Sequence, residues 1–184
     1  ILQVIVPAGW FLPVTPGTKF ITVGGAVASD VHGKNHHVDG SFSRHVTSMT
    51  VLTGTGEVIT CGHTQHSDLF WATCGGMGLT GIILEVSFSL KKIDTAYIAQ
   101  RQIKAENLDA VMGLFDEYGH YTYSVAWIDC LKKGAQYGRS ILMVGEHAGI
   151  DRLHDQPRLE AREKSLLSIP FNFPSFALNS LTVK

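Results

Sequence analysis

The stretch that decides the reading runs Val23-Gly24-Gly25-Ala26-Val27-Ala28-Ser29-Asp30-Val31-His32-Gly33-Lys34-Asn35-His36-His37. From Val23 to Gly33 nearly every residue is small or short. Main-chain amides in such a run can approach a large anionic ligand without obstruction by side chains. His32, Lys34, Asn35, His36 and His37 then concentrate donors and titratable groups directly after the smooth segment. A tight turn with exposed polar residues accounts for the same composition. Upstream, Pro16-Gly17-Thr18 marks a turn, and the β-branched run Phe20-Ile21-Thr22-Val23 predicts a short strand that stops at Gly24-Gly25.

Outward from this run the texture of the chain changes. Residues 1–93 hold 13 of the 19 glycines and 6 of the 9 histidines but only 10 of the 31 charged residues. The second half is conventional in composition, which places a boundary near Lys91–Thr95. Two domains are expected, 1–93 and 94–184. The full chain of 184 residues is 45% hydrophobic and 17% charged with a net charge of −1. That is enough apolar sequence for a core and too little net charge for a nucleic-acid footprint. No apolar run reaches the length of a membrane span. A site in the cytoplasm or at a membrane periphery is expected. The apolar, uncapped opening Ile1–Pro7 and the apolar end after Phe171 suggest a piece of a longer chain.

Ser48–Thr53, the turn Gly54-Thr55-Gly56 and Glu57–Cys61 predict a β-hairpin. Ser67–Thr73 predicts a short helix capped by Ser67. Ile82–Leu90 predicts a strand. Beyond the boundary, Ala96–Lys104 predicts a strand, and Ala105–Tyr118 shows helical spacing at Leu108, Val111, Met112, Leu114 and Phe115. Thr122–Asp129 and Arg139–Val144 predict two more strands. This order fits an α+β layer, a helix against an antiparallel sheet. Asp151–Lys164 predicts a charged helix or loop, followed by an aromatic, proline-punctuated tail.

Two motifs fail on context. Gly76-Met77-Gly78-Leu79-Thr80-Gly81 matches G-x-G-x-x-G, but a helix precedes it and a strand follows, the reverse of a dinucleotide fingerprint. Cys61-x-His63-x-x-His66 has tolerable metal spacing but lacks a fourth soft ligand, so no metal is assigned and a metal-binding module is kept as an alternative. The three cysteines, Cys61, Cys74 and Cys130, form no disulfide pattern and read as reduced thiols.

The run from Pro16 to His37 resembles the FAD-binding (PCMH-type) domain of the vanillyl-alcohol-oxidase superfamily, in particular its decaprenylphosphoryl-ribose 2′-oxidase branch. Gly40-Ser41-Phe42, Leu69–Thr73, Gly78–Ile83 and Tyr121–Asp129 match in the same order. Lys34 separates this chain from the aldonolactone and alditol oxidases, which follow His-Gly with small residues. Gly75-Gly76-Met77-Gly78 stands where the family has Gly-Gly-Asn-Gly.

The resemblance implies the second lobe of such an FAD domain followed by the start of an α+β substrate domain with an antiparallel sheet. It implies FAD along Gly17, Thr22, Val23, Gly24, Gly25, Ser29, Asp30, Val31, His32, Gly33 and Ile83. It makes His32 and Lys34 catalytic, and Lys34, Ser124 and Trp127 substrate-binding. The implied activity is oxidation of a hydroxyl on a sugar or polyprenyl-phosphate sugar, with hydride passing to the flavin and a separate electron acceptor. An upstream lobe holding the pyrophosphate and a downstream catalytic lysine are expected outside this chain. Self-association through an open cofactor-facing edge, an aldonolactone-oxidase-like activity and a silent scaffold are the remaining expectations.

Overall fold

The computed structural model describes residues 1–160, 174–177 and 179. Most of the proline-punctuated tail, and the part of the charged segment beyond Glu160, lie outside the described residues. The fold is α+β, with helices packed on antiparallel sheets.

The first half opens with α1 (Leu2–Ile5) and β1 (Trp10–Phe11). It continues through α2 (Val23–Ala28) and α3 (His36–Asp39). Then come β2 (Val46–Leu52), β3 (Val58–Gly62), α4 (Ser67–Thr73) and β4 (Ile82–Phe88). The expected hairpin forms, with Leu52 opposite Val58 and Ser48 opposite Gly62. β4 pairs on the other edge of β2, giving the order β3-β2-β4. Met49 and Val51 alternate inward along β2, and Val46 joins them across the register shift between Val46 and Ser48; all three pack with Ala26, Val27, Phe42 and Phe70 into the first core. Gly81 is fixed here by close approach: at φ +144° its Cβ position lies 2.2 Å from the Leu52 carbonyl oxygen.

Two local expectations are corrected. Phe20–Val23 is no strand. Thr22 is the N-cap of α2, its hydroxyl accepting the Gly25 amide at 3.0 Å, while Phe20 and Ile21 stay exposed in a loop. Among the described residues no strand pairs with this segment, and the hydroxyl offers the backbone a capped turn instead. Poor helix formers are carried by packing: the Cβ position of Gly24 lies 3.8 Å from Ile83 Cβ. In α4 the cap position belongs to His66, in the left-handed conformation at φ 46°, and Ser67 is already helical.

β5 (Lys91–Lys92) returns to pair with β1 and leads into the second half. There β6 (Ile98–Ala105), α5 (Leu108–Glu117), β7 (Tyr123–Ile128) and β8 (Ser140–His147) follow in the expected order. The sheet order is β6-β8-β7, all antiparallel. Asn107 caps α5 by accepting the Ala110 amide at 2.9 Å. Val111 and Leu114 face inward onto Leu142, Val144 and Ala126 and form the second core, whereas Met112 is exposed. The segment after β8 opens with a 3-10 turn at Ile150–Arg152.

Candidate functional site at the junction of the two cores

A cleft of about 1,210 Å³ opens between the loop over Thr15–Val23, α1 and the Tyr97–Ile98 end of β6, with His147 in its wall. The volume exceeds the roughly 300–1,000 Å³ of ordinary small-molecule sites. Gly17, Thr22, Val23 and Val31 of the predicted cofactor set line it. Thr22 Oγ takes the Gly25 amide, and the amides of the first turn above it have no helical acceptor.

Gly24 and Gly25 continue α2 behind this lip, with Ile83 packed against Gly24. Ser29 caps the far end of α2. Asp30, at φ 39°, turns its carboxylate inward, where Oδ1 accepts the Ser43 amide at 2.8 Å. Its side chain therefore builds the turn that follows. The Val31 amide donates to Ala26 and its carbonyl accepts from Phe42, so the chain enters the histidine loop from a fixed direction.

His32 is exposed, bridges to Ser41, and sits edge-to-face with His36 at 5.4 Å between ring centroids. Gly33 lies against the loop before it: a Cβ there would meet the Thr15 carbonyl oxygen at 2.4 Å. Only glycine brings the His32–Lys34 loop so close to the cleft's rim. The exposed Lys34 offers its carbonyl to the Ser124 amide at 2.9 Å, and His37 Nε2 donates to the Tyr121 carbonyl at 2.8 Å. These two bonds join the first core to the leading end of β7. Ser124 is thereby brought beside Lys34. Trp127 is not held there: strand alternation puts it on the opposite face of β7 from Ser124, 74% exposed on the open side of the sheet.

Sequence reasoning passed over one cluster. Tyr123 OH and His147 Nε2 pair at 2.9 Å, Phe11 stands edge-to-face on His147, and Lys91 Nζ lies over the Tyr123 ring at 5.7 Å. Burial pushes the Tyr123 hydroxyl up to about 12, with Asp39 and Glu146 adding to the rise. Burial first, and the Lys91 charge second, depress the His147 imidazole below its usual 6.5, partly countered by Glu146. Nδ1 of His147 is buried with no hydrogen-bond partner among the described residues. Nothing local in the sequence marks His147, which is one residue of an alternating strand.

The other candidate group stays apart. His63 Nε2 donates to the Val46 carbonyl at 2.8 Å and its ring packs on Phe70, while Cys61 is buried in the first core. Among the described residues, no three His, Cys, Asp or Glu side chains converge as a metal site would need. All three cysteines are free thiols. Gly76–Gly81 lies between α4 and β4, helix before and strand after, so the glycine motif is a structural turn.

The residues present fit a large dinucleotide on this side of the cleft. Gly17, Thr15, Thr18, Thr22 and Val23 give its loop side short side chains, its walls are mostly apolar, and an orphaned imidazole nitrogen belongs to a side chain in its wall.

Comparison with known proteins agrees. Residues 1–62 match the model of the FAD binding domain family. The chain is 40% identical to a decaprenylphosphoryl-β-D-ribose oxidase of Mycolicibacterium smegmatis over 99% of its own length and 41% of that protein. It is also 40% identical to an uncharacterised protein of Streptomyces coelicolor over 79% of the chain and 40% of the relative. Cytokinin dehydrogenase 4 of Oryza sativa subsp. japonica is 39% identical over 39% of the chain and 13% of the relative. The chain thus spans about two fifths of the first two relatives. The match over residues 1–62 supports FAD as the cofactor, and over nearly its whole length the chain is similar to a stretch of an oxidase.

Proposed function

We propose that this chain is the central part of an FAD-dependent oxidoreductase that oxidises a hydroxyl of a sugar or a polyprenyl-phosphate sugar. The observation that carries the reading is the bond from the Ser124 amide to the Lys34 carbonyl, which sets the histidine–lysine loop of the first core against the leading strand of the second. The two cores then correspond to a cofactor domain over 1–93 and a substrate domain over 94–184. Similarity along 99% of this chain to part of an oxidase whose name specifies decaprenylphosphoryl-β-D-ribose supports the substrate class.

FAD, when bound here, would supply a two-electron acceptor for the carbinol hydrogen. Oxidation of a carbinol also releases the hydroxyl proton, and His32, exposed beside the cleft rim, is the group to receive or relay it. Lys34 provides a point charge for the phosphate of a lipid-linked sugar. Gly17, Thr22–Gly25, Ser29–Gly33 and Ile83 carry the cofactor, mostly by main-chain atoms. Ser124 meets the sugar beside Lys34, where the main-chain bond holds it, and Trp127 offers an apolar wall only to a substrate segment that reaches the opposite face of β7. A separate electron acceptor completes the cycle, and the protein works in the cytoplasm or at a membrane surface. No described helix is long and apolar enough to cross a membrane.

The decisive experiment is a visible absorption spectrum of the whole protein with and without added FAD. A flavin band that bleaches anaerobically with a polyprenyl-phosphate pentose is the expected result. Absence of any flavin after reconstitution would overturn the reading. A band that bleaches with an aldonolactone instead would move the substrate to the neighbouring branch.

A further inference from the structure

We propose that Asn35, acting with Asp39, is a positioning residue that holds the His32–Lys34 loop in its working place. The inference rests on the function proposed above. Asn35 is the N-cap residue of α3, a position where an asparagine side chain ordinarily accepts a backbone amide of its own helix. Here it makes no such bond. Its side chain is instead almost fully buried, with 1% of its surface exposed, and spends both amide hydrogens elsewhere. Nδ2 donates to the Pro13 carbonyl at 2.7 Å and to Asp39 Oδ2 at 2.6 Å. The other end of the amide faces Gly33: a Cβ built there would lie 2.9 Å from Asn35 Oδ1.

One side chain therefore ties the strand exit at Pro13 to the last residue of α3, and its oxygen lies against the glycine between His32 and Lys34. A buried amide with both donors used has no alternative rotamer of equal energy, so the loop has one resting position. The second link is Asp39, whose Oδ2 also lies 3.7 Å from Lys91 Nζ. That ion pair is partly exposed and contributes little. The proposal thus separates the Asn35–Asp39 bond, which sets the loop, from the Lys91 contact, which does not.

The test uses Asn35→Ala, Asp39→Ala and Lys91→Met in the whole protein, with two readouts. Trypsin cleavage after Lys34, relative to cleavage after the exposed Lys133, reads the order of the loop without any cofactor. Turnover of the FAD-loaded protein reads its consequence. Asn35→Ala is expected to speed cleavage after Lys34 about tenfold, with Lys133 unchanged. It is also expected to lower kcat on the order of 100-fold with little change in KM. Asp39→Ala, which leaves the Pro13 bond intact, gives a smaller change in the same direction and serves if Asn35→Ala does not fold. Lys91→Met behaves as wild type.

Parallel acceleration at Lys34 and Lys133 would reduce Asn35 to a general stabiliser and overturn the proposal. So would faster cleavage at Lys34 with kcat unchanged, or a Lys91→Met variant as impaired as Asn35→Ala. If wild-type protein takes up no flavin, the proposed function fails, and with it the catalytic half of the inference. The cleavage ratio still decides whether Asn35 sets the loop.

Discussion

Met77 holds a left-handed backbone at φ 52° with its side chain 71% exposed, and its amide donates to the Ala28 carbonyl at 2.8 Å. A β-carbon in that conformation costs about 1 kcal/mol, and asparagine bears it better than methionine. The Gly-Gly-Asn-Gly pattern of the resembled family has asparagine at this position, so Met77→Asn is expected to raise the thermal midpoint by a few degrees while leaving flavin binding untouched. Differential scanning calorimetry checks it. At the site, His32→Ala is expected to slow turnover by about 10²-fold or more if the imidazole handles the proton. Lys34→Met should instead raise KM for a phosphate-bearing substrate more than it lowers kcat, and steady-state kinetics on the loaded protein separate the two. Wild-type turnover in both variants would remove the roles assigned to these residues.

At the scale of elements, the loops before and after α2 set the site, and their packing is glycine-limited. Gly33→Ala places a carbon 2.4 Å from the Thr15 carbonyl oxygen, a backbone atom that cannot turn aside. The loop must then lift from the cleft rim, and flavin affinity measured by fluorescence titration is expected to fall at least tenfold. The hairpin, β4, α5 and the second sheet were legible because period-2 and helical spacing coincide with turn residues at their ends. Thr22 misled: β-branched neighbours read as strand, but a hydroxyl at the right offset from Gly25 made it a cap, and no described strand pairs with the segment. Within α5 the spacing marked five apolar positions, yet only Val111 is buried, with Leu114 packed beside it. The helix was readable and its buried face was not, because the sheet it meets comes from residues 30 positions away. The smooth run and the His32–Lys34 donors could be marked as a candidate from local composition, beside the tight-turn reading. Tyr123 and His147 were not, since their pairing depends on the register of β7 on β8.

For the whole molecule, partly buried titratable groups at the junction and in the first core give the fold a pH window. His147 is held below its ordinary 6.5 in the fold, so the unfolded chain binds a proton first as pH falls, and this contribution is present above 6.5 and lost below it. On the alkaline side, burial lifts the Cys74 thiol to about 11 from 9.0, and Tyr123 stands at about 12 against 10.0. Both favour the protonated fold, so their contributions are intact below pH 9 and are lost as pH rises through 9 to 12. Thermal midpoints are expected to be flat near pH 7–8 and to drop on both sides, and His147→Gln should blunt the acidic drop alone. The bonds that join the two cores, Ser124 to Lys34 and His37 to Tyr121, draw on main-chain atoms at three of their four ends. The identities of the side chains at 34, 121 and 124 are therefore uncoupled from the seam itself. A lineage can exchange what those positions present to a substrate while inheriting the same frame, and a mutagenesis library restricted to them should change preference without unfastening the two halves.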